Sequence, residues 1–309
     1  RAYGLFDYRS FTKRLLARAW FLYEVLYLLM MILVISVLGA AAGSILHDAF
    51  GLATGIGTIG MMVAIGLLVF YGTPAIERFL VFWSFILYAA YIVFLVLNFV
   101  QHGDAMQSNL AQGLVNSGWA VSGVKYAGYN LASVPVLLFC IRHLTRPKEA
   151  ISAGLIAGPI AMIPAVLFFL TMIGQYESLM QADRDTVPVS LLLSALAHAE
   201  FFAIVFPIVL FGTFIETGAA MIHGVNERIG QQFEESDREM PRWMRPAVAL
   251  AILIVAIVVA DVVGLTDLIA RGYGVITYGF LLVFVLPALT WGVWQIAKTD
   301  RLAAGQESA

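Results

Sequence analysis

Eight separate runs of apolar residues, each long enough to cross a bilayer, dominate this chain. They occupy residues 20–46, 53–73, 77–100, 119–141, 151–174, 199–223, 247–263 and 273–297. A spanning helix needs about 17 to 25 mostly apolar residues to cross roughly 30 Å of hydrocarbon. Lipid offers the backbone no hydrogen-bonding partner, so each run must satisfy its own amides, as an α-helix does. Hydrophobic residues are 61% of the sequence and charged residues 12%, which excludes a water-soluble globular domain. The expected fold class is an all-α polytopic membrane protein with eight transmembrane helices, forming one transmembrane domain over residues 1–309.

Basic residues sort sharply between alternate links. Arg1, Arg9, Lys13, Arg14 and Arg18 precede the first span. Arg78, then Arg142, Arg146 and Lys148, then Arg228, Arg238, Arg242 and Arg245 occupy every second link, and Lys298 and Arg301 follow the last span. These are 15 of the 18 Lys and Arg; Lys125 lies within a span, and Arg184 and Arg271 lie in the opposite links. Lys and Arg accumulate on the cytoplasmic side, so both termini are expected there, which requires an even number of spans.

The two longest outer links carry almost no Lys or Arg. Residues 101–118 are polar. Residues 185–197 enclose an apolar piece too short to span, opened by Pro188, which suits a first helical turn. This segment is expected to form a lid-like outer helix or a helix resting at the interface. A further short helix is expected over Thr266 to Arg271, closed by Gly272. The first span carries Gly39 and Gly43, and the fifth carries Gly154 and Gly158. Small residues four apart let helices approach closely, and packing is their expected use.

The fourth span is interrupted at its centre by Lys125, Tyr126, Gly128, Tyr129, Asn130, Ser133 and Pro135. Glycine loosens a helix, and proline removes a backbone donor. A broken span survives where protein or a water-filled cavity takes over its amides, and transporters build solute sites from such breaks. Tyr126, Gly128, Tyr129, Asn130 and Ser133 are therefore candidate solute ligands. Lys125 can bind a carboxylate, carry a proton or replace a coupling cation, or it can snorkel to the outer surface. The structural alternative for the whole span is a proline kink whose polar groups neighbours satisfy.

The sixth span places Thr213, Glu216 and Thr217 at i, i+3 and i+4, on one helical face. Hydroxyl and carboxylate oxygens suit a hard cation such as Na+, and a carboxylate at depth can carry a proton. The alternative has the threonines bonding their own helix, with Glu216 near the inner water boundary. Glu24, Asn98, Gln175, His198, Glu200, His223 and Asp261 lie near span ends and read as structural. No His, Cys, Asp or Glu grouping has metal-ligand spacing, and Cys140 is the sole cysteine. No Ser/His pair, aspartate pair or phosphate loop argues for an enzyme, and no module argues for nucleic acid. Neither a cofactor nor a metal is expected beyond a coupling Na+ or H+.

The run Lys125-Tyr126-Ala127-Gly128-Tyr129-Asn130, with Thr213-Phe-Ile-Glu-Thr-Gly-Ala-Ala-Met-Ile-His-Gly-Val-Asn-Glu-Arg228, resembles the YkvI-like bacterial membrane proteins. These are relatives of the amino acid–polyamine–organocation superfamily. The resemblance implies a LeuT-like bundle of two inverted five-helix repeats in a bacterial cytoplasmic (inner) membrane. The eight spans would correspond to its third through tenth helices, leaving the bundle truncated at its N-terminus, so sequence upstream of Arg1 is expected to carry the first two. The fourth span would be the broken sixth helix, and the sixth span would be the eighth, which lends hydroxyls to a cation site. Glu24 and His47 recur as Glu200 and His223 at one offset of 176 residues, in keeping with an inverted repeat. The expected function is secondary active transport of a small amino-acid-like or organocation solute, coupled to Na+ or H+. The alternative is a membrane receptor or assembly subunit that binds a ligand without moving it. The expected partners are the solute and the lipid bilayer.

Overall fold

The structure, a computed structural model, describes residues 8–113, 115, 117–131, 146–182, 187–197, 200–234, 236–241 and 243–298. Among these residues the regular structure is helical throughout, with no strand. A short amphipathic helix, α1 (Tyr8–Leu16), turns at Ala17, whose φ of 49° is left-handed, into the long α2 (Trp20–Phe50). There follow α3 (Thr54–Tyr71), α4 (Thr73–Ala111), α5 (Trp119–Leu131), α6 (Pro147–Gly174), α7 (Tyr176–Gln181), α8 (Pro188–Ser194), α9 (Glu200–Glu234) and α10 (Met244–Val263). The last helix, α11, runs over Tyr273–Lys298.

Seven of the described helices are long and apolar enough to cross a bilayer: α2, α3, α4, α6, α9, α10 and α11. Their outer surfaces agree with lipid as solvent. Ile151, Leu155, Ile156, Ile160 and Ile163 of α6 are each more than half exposed, which water would not tolerate over so long a stretch. The chain is thus an integral membrane protein. Of the expected fourth span only the 13 residues of α5 are described, about 20 Å of helix; its remaining residues 132–141, with Ser133, Pro135 and Cys140, lie outside the described residues.

Several helices overrun their expected ends. The polar link after residue 100 is helical as far as Ala111, because its side chains find partners. Asn109 Nδ2 donates to the Ile173 carbonyl at 2.8 Å, and Gln101 exchanges hydrogen bonds with the backbone of Ala197 at 3.1 and 2.7 Å. Likewise α9 continues to Glu234, past the expected end of its span at residue 223, and Glu227 on this extension meets Arg245. Two glycines with positive φ supply real stops: Gly72 (83°) between α3 and α4, and Gly264 (79°) after α10. Gly272 is not a stop. Its backbone is helical, and a π-helical turn, Leu268–Gly272, runs directly into α11.

The chain forms two compact units. The larger comprises Met31–Leu114 and Ile163–Ile269 and holds two apolar clusters. One gathers Ile35 of α2, Met61 and Ile65 of α3, Ile222 of α9 and Leu253 of α10. The other gathers Phe94 of α4, Leu192 and Leu193 of α8, and Phe206 of α9, with the Phe94 and Phe206 rings stacked at 5.0 Å. The helix expected over 185–197 is therefore present as α8, and its apolar side chains are buried rather than spread on a surface. The Gly39 and Gly43 face does bring helices together: a Cβ at Gly43 would stand 2.5 Å from the Thr54 carbonyl oxygen, and Thr58 Oγ1 donates to the Gly39 carbonyl at 2.8 Å. Among the described residues nothing lies within 4 Å of a Cβ at Gly154 or Gly158.

The smaller unit takes residues up to Met30, residues 115–162 and residues from Ala270 on. Its core is aromatic. Tyr23 of α2 lies edge-on to Phe280 at 5.8 Å and tilted against Phe284 at 5.5 Å, both on α11. Phe11 of α1 meets Phe284 at 6.4 Å, so the amphipathic helix is docked on α11.

Candidate functional site

Two groups of polar side chains lie inside apolar helices, one in each unit. In the smaller unit, α5 packs on α11 through Gly128. A Cβ at Gly128 would stand 2.9 Å from Thr277 Cγ2 and 3.0 Å from the Leu281 side chain. The helix does not loosen there. Its α-helical bonding continues through Gly128, Tyr129 and Asn130 to Leu131, so the expected freed amides are absent over those residues. The glycine instead permits close approach. Asn130 closes on its own helix, its Nδ2 donating to the Tyr126 carbonyl at 2.7 Å.

Around that crossing the phenols assemble. Tyr126 and Tyr129 meet edge-on at 5.3 Å, and Tyr129 tilts against Tyr273 of α11 at 5.0 Å. The Lys125 ammonium stands over the Tyr278 ring, 5.2 Å from its centroid, within the range of cation–π attraction. Lys125, Tyr126, Gly128 and Tyr129 are thus gathered on one seam; Ser133 lies outside the described residues. The sequence reading missed the α11 side: Tyr273, Thr277 and Leu281 fall at i, i+4 and i+8, a helical face legible once that spacing is sought.

In the larger unit, α9 carries Thr213, Glu216 and Thr217. The two threonines turn inward on their own helix, donating to the carbonyls of Val209 (2.9 Å) and Thr213 (3.0 Å). Their spare lone pairs remain as acceptors or ligands. Glu216 reaches a neighbour instead: Ser84 Oγ of α4 donates to its Oε1 at 3.0 Å. One residue earlier on α4, Trp83 donates from Nε1 to the Val209 carbonyl at 3.0 Å, and its indole covers Gly212. Trp83 and Ser84 were not anticipated, since a lone serine in an apolar span more often bonds its own backbone, as Ser84 also does at 2.8 Å from the Leu80 carbonyl oxygen.

At the end of α9, Arg245 Nη1 donates to Glu227 Oε1 at 2.7 Å, and Asn226 Nδ2 donates to the Arg245 carbonyl at 3.3 Å. Among the described residues no group of three His, Cys, Asp or Glu side chains is placed to hold a metal. No family model, curated protein or solved structure matches the chain.

Proposed function

We propose that this chain is a secondary active transporter that moves a small amino-acid-like or organocation solute by alternating access, coupled to Na+ or H+. The observation that carries the reading is Glu216: a carboxylate within a membrane-crossing helix, partnered by a hydroxyl of a second such helix. Ionisable groups at that position are costly and are retained where they bind or move ions. In this reading Tyr126, Gly128, Tyr129 and Lys125 line the solute site, with Asn130 adjoining, and Glu216, Thr213 and Thr217 provide the coupling site. The LeuT-like arrangement, the eighth span through 119–141 and the bacterial cytoplasmic membrane with both termini inside belong to the same proposal. The distribution of Lys and Arg supports that orientation.

The test is uptake of labelled amino acids and polyamines into proteoliposomes under imposed Na+ or proton gradients. Gradient-driven accumulation is expected. Saturable binding with no uptake under either gradient would replace the transporter by a ligand-binding receptor of the same architecture. In the same assay Asn130→Ala is expected to weaken solute binding with folding intact; unchanged affinity removes Asn130 from the site.

A further inference from the structure

Thr277 departs from what other buried hydroxyls in these helices do. Thr12, Ser36 and Thr171 each donate to a carbonyl three or four residues back. Thr277 is only 1% exposed, yet its hydroxyl meets no hydrogen-bond partner among the described residues. Its methyl fills the notch that Gly128 leaves, and packing against that notch holds the side chain in place. A buried hydroxyl without an acceptor is a standing cost, and such groups in a native fold call for an explanation.

A second group, without a counter-charge among the described residues, lies on the same α5–α11 seam. Lys125 precedes Gly128 by three residues, on the same face of α5, and stands over Tyr278, the residue after Thr277. It makes no ion pair among the described residues. The tyrosine face offsets part of the cost of an ammonium in a span but does not neutralise it. Among the described residues, one seam therefore holds a cation without a counter-ion and an unused hydroxyl, flanked by the phenol rings of Tyr129 and Tyr273.

We propose that the α5–α11 seam is an anion subsite, in which the Lys125 ammonium and the Thr277 hydroxyl together hold the carboxylate of a small solute. This rests on reading α5 as the solute-site helix and narrows that reading. The Lys125 ammonium repels an organic cation and attracts an acid. Access to Thr277 requires α5 to draw back at Gly128, where a methyl group and the Leu281 side chain close the seam.

The test uses the full chain in phosphatidylcholine nanodiscs and reads thermal unfolding. The probes are the twenty amino acids and the two- to six-carbon mono- and dicarboxylates, each beside its amide, with choline and putrescine as cations. At least one carboxylate is expected to raise Tm while its amide does not. Lys125→Met abolishes that shift and Lys125→Arg keeps part of it. Thr277→Val weakens binding by about 10-fold, the loss expected of one hydrogen bond to a charged group, while raising the ligand-free Tm. That opposition of affinity and stability is a signature a purely structural threonine lacks. Equal shifts from amides or cations, no shift from any carboxylate, or shifts indifferent to both variants overturn the proposal. Nanodiscs with added phosphatidylglycerol separate the sources of anion: a Lys125-dependent shift from that lipid alone makes Lys125 a headgroup contact and also overturns it. Carboxylate binding without uptake refutes transport and leaves the subsite standing. Gradient-driven uptake indifferent to Lys125→Met and Thr277→Val does the reverse.

Discussion

Ser84 of α4 stands between two acceptors, 3.0 Å from Glu216 Oε1 on α9 and 2.8 Å from the carbonyl oxygen of Leu80 on its own helix. A serine carries one hydroxyl proton, so it cannot serve both at once. An ionised Glu216 draws that proton across the helix pair. A protonated Glu216 becomes the donor itself and releases the Ser84 proton to Leu80. Glu216→Gln preserves shape and hydrogen bonding and should fold normally, yet alter the Na+ or pH dependence of uptake. An unaltered profile reduces Glu216 to a structural residue. Ser84→Ala should cost about 1.5–3 kcal/mol in detergent unfolding, as for a lost hydrogen bond to a charged group, and Ser84→Thr should recover most of it.

The Trp83 indole packs against Gly212, pinned there by its bond to the Val209 carbonyl at 3.0 Å. A methyl group at residue 212 would overlap the ring, and a ring held at its nitrogen has little room to yield. Gly212→Ala is expected to lower stability by about 1–3 kcal/mol, the usual cost of overpacking. Tryptophan emission should shift as the indole is displaced. An unchanged spectrum and an unchanged Tm would show that the contact is loose.

The two glycine pairs give a contrast within one chain. Gly43→Val drives a side chain into the Thr54 carbonyl of α3, whereas Gly154→Val meets nothing within 4 Å among the described residues. The first should lower the detergent Tm by several degrees, and the second should leave it within error. A loss of stability at Gly154 would reveal a neighbour on that face of α6.

Arg245 and Glu227 are bonded at 2.7 Å, but their side chains are 38% and 45% exposed. A pair so open to solvent contributes at most about 1 kcal/mol, less as salt rises. Arg245→Ala should therefore change Tm only slightly at physiological ionic strength, and the difference should shrink in high salt.

How far the sequence could be read depended on what each residue touches. The spanning helices were legible because lipid demands a helix of known length and leaves few alternatives. The ends of α4 and α9 were not, since a helix continues into polar residues when those residues find partners, as Asn109 and Gln101 do. Gly128 misled for a physical reason. Glycine both weakens a helix and admits a neighbour, and only the presence of Thr277 and Leu281 decides between the two. Glu216 stood out because a carboxylate in an apolar span needs a partner. That partner could not be named, because Ser84 lies 132 residues away in the chain.

The π-helical turns at Leu281–Val285 and Ala288–Gly292 give α11 two different azimuths along one axis. Tyr273 and Thr277, before them, and Leu281, which opens the first, point at α5; Phe284 within the first meets Phe11, and Gly292, which closes the second, approaches Leu15. A π turn accommodates one residue more than the regular helix. Deleting a single residue from the first turn would restore the ordinary pitch there and swing everything downstream, Trp291 and Trp294 included, through about 100°. The π turns therefore set the phase between the residues of α11 that face α5 and those that meet α1.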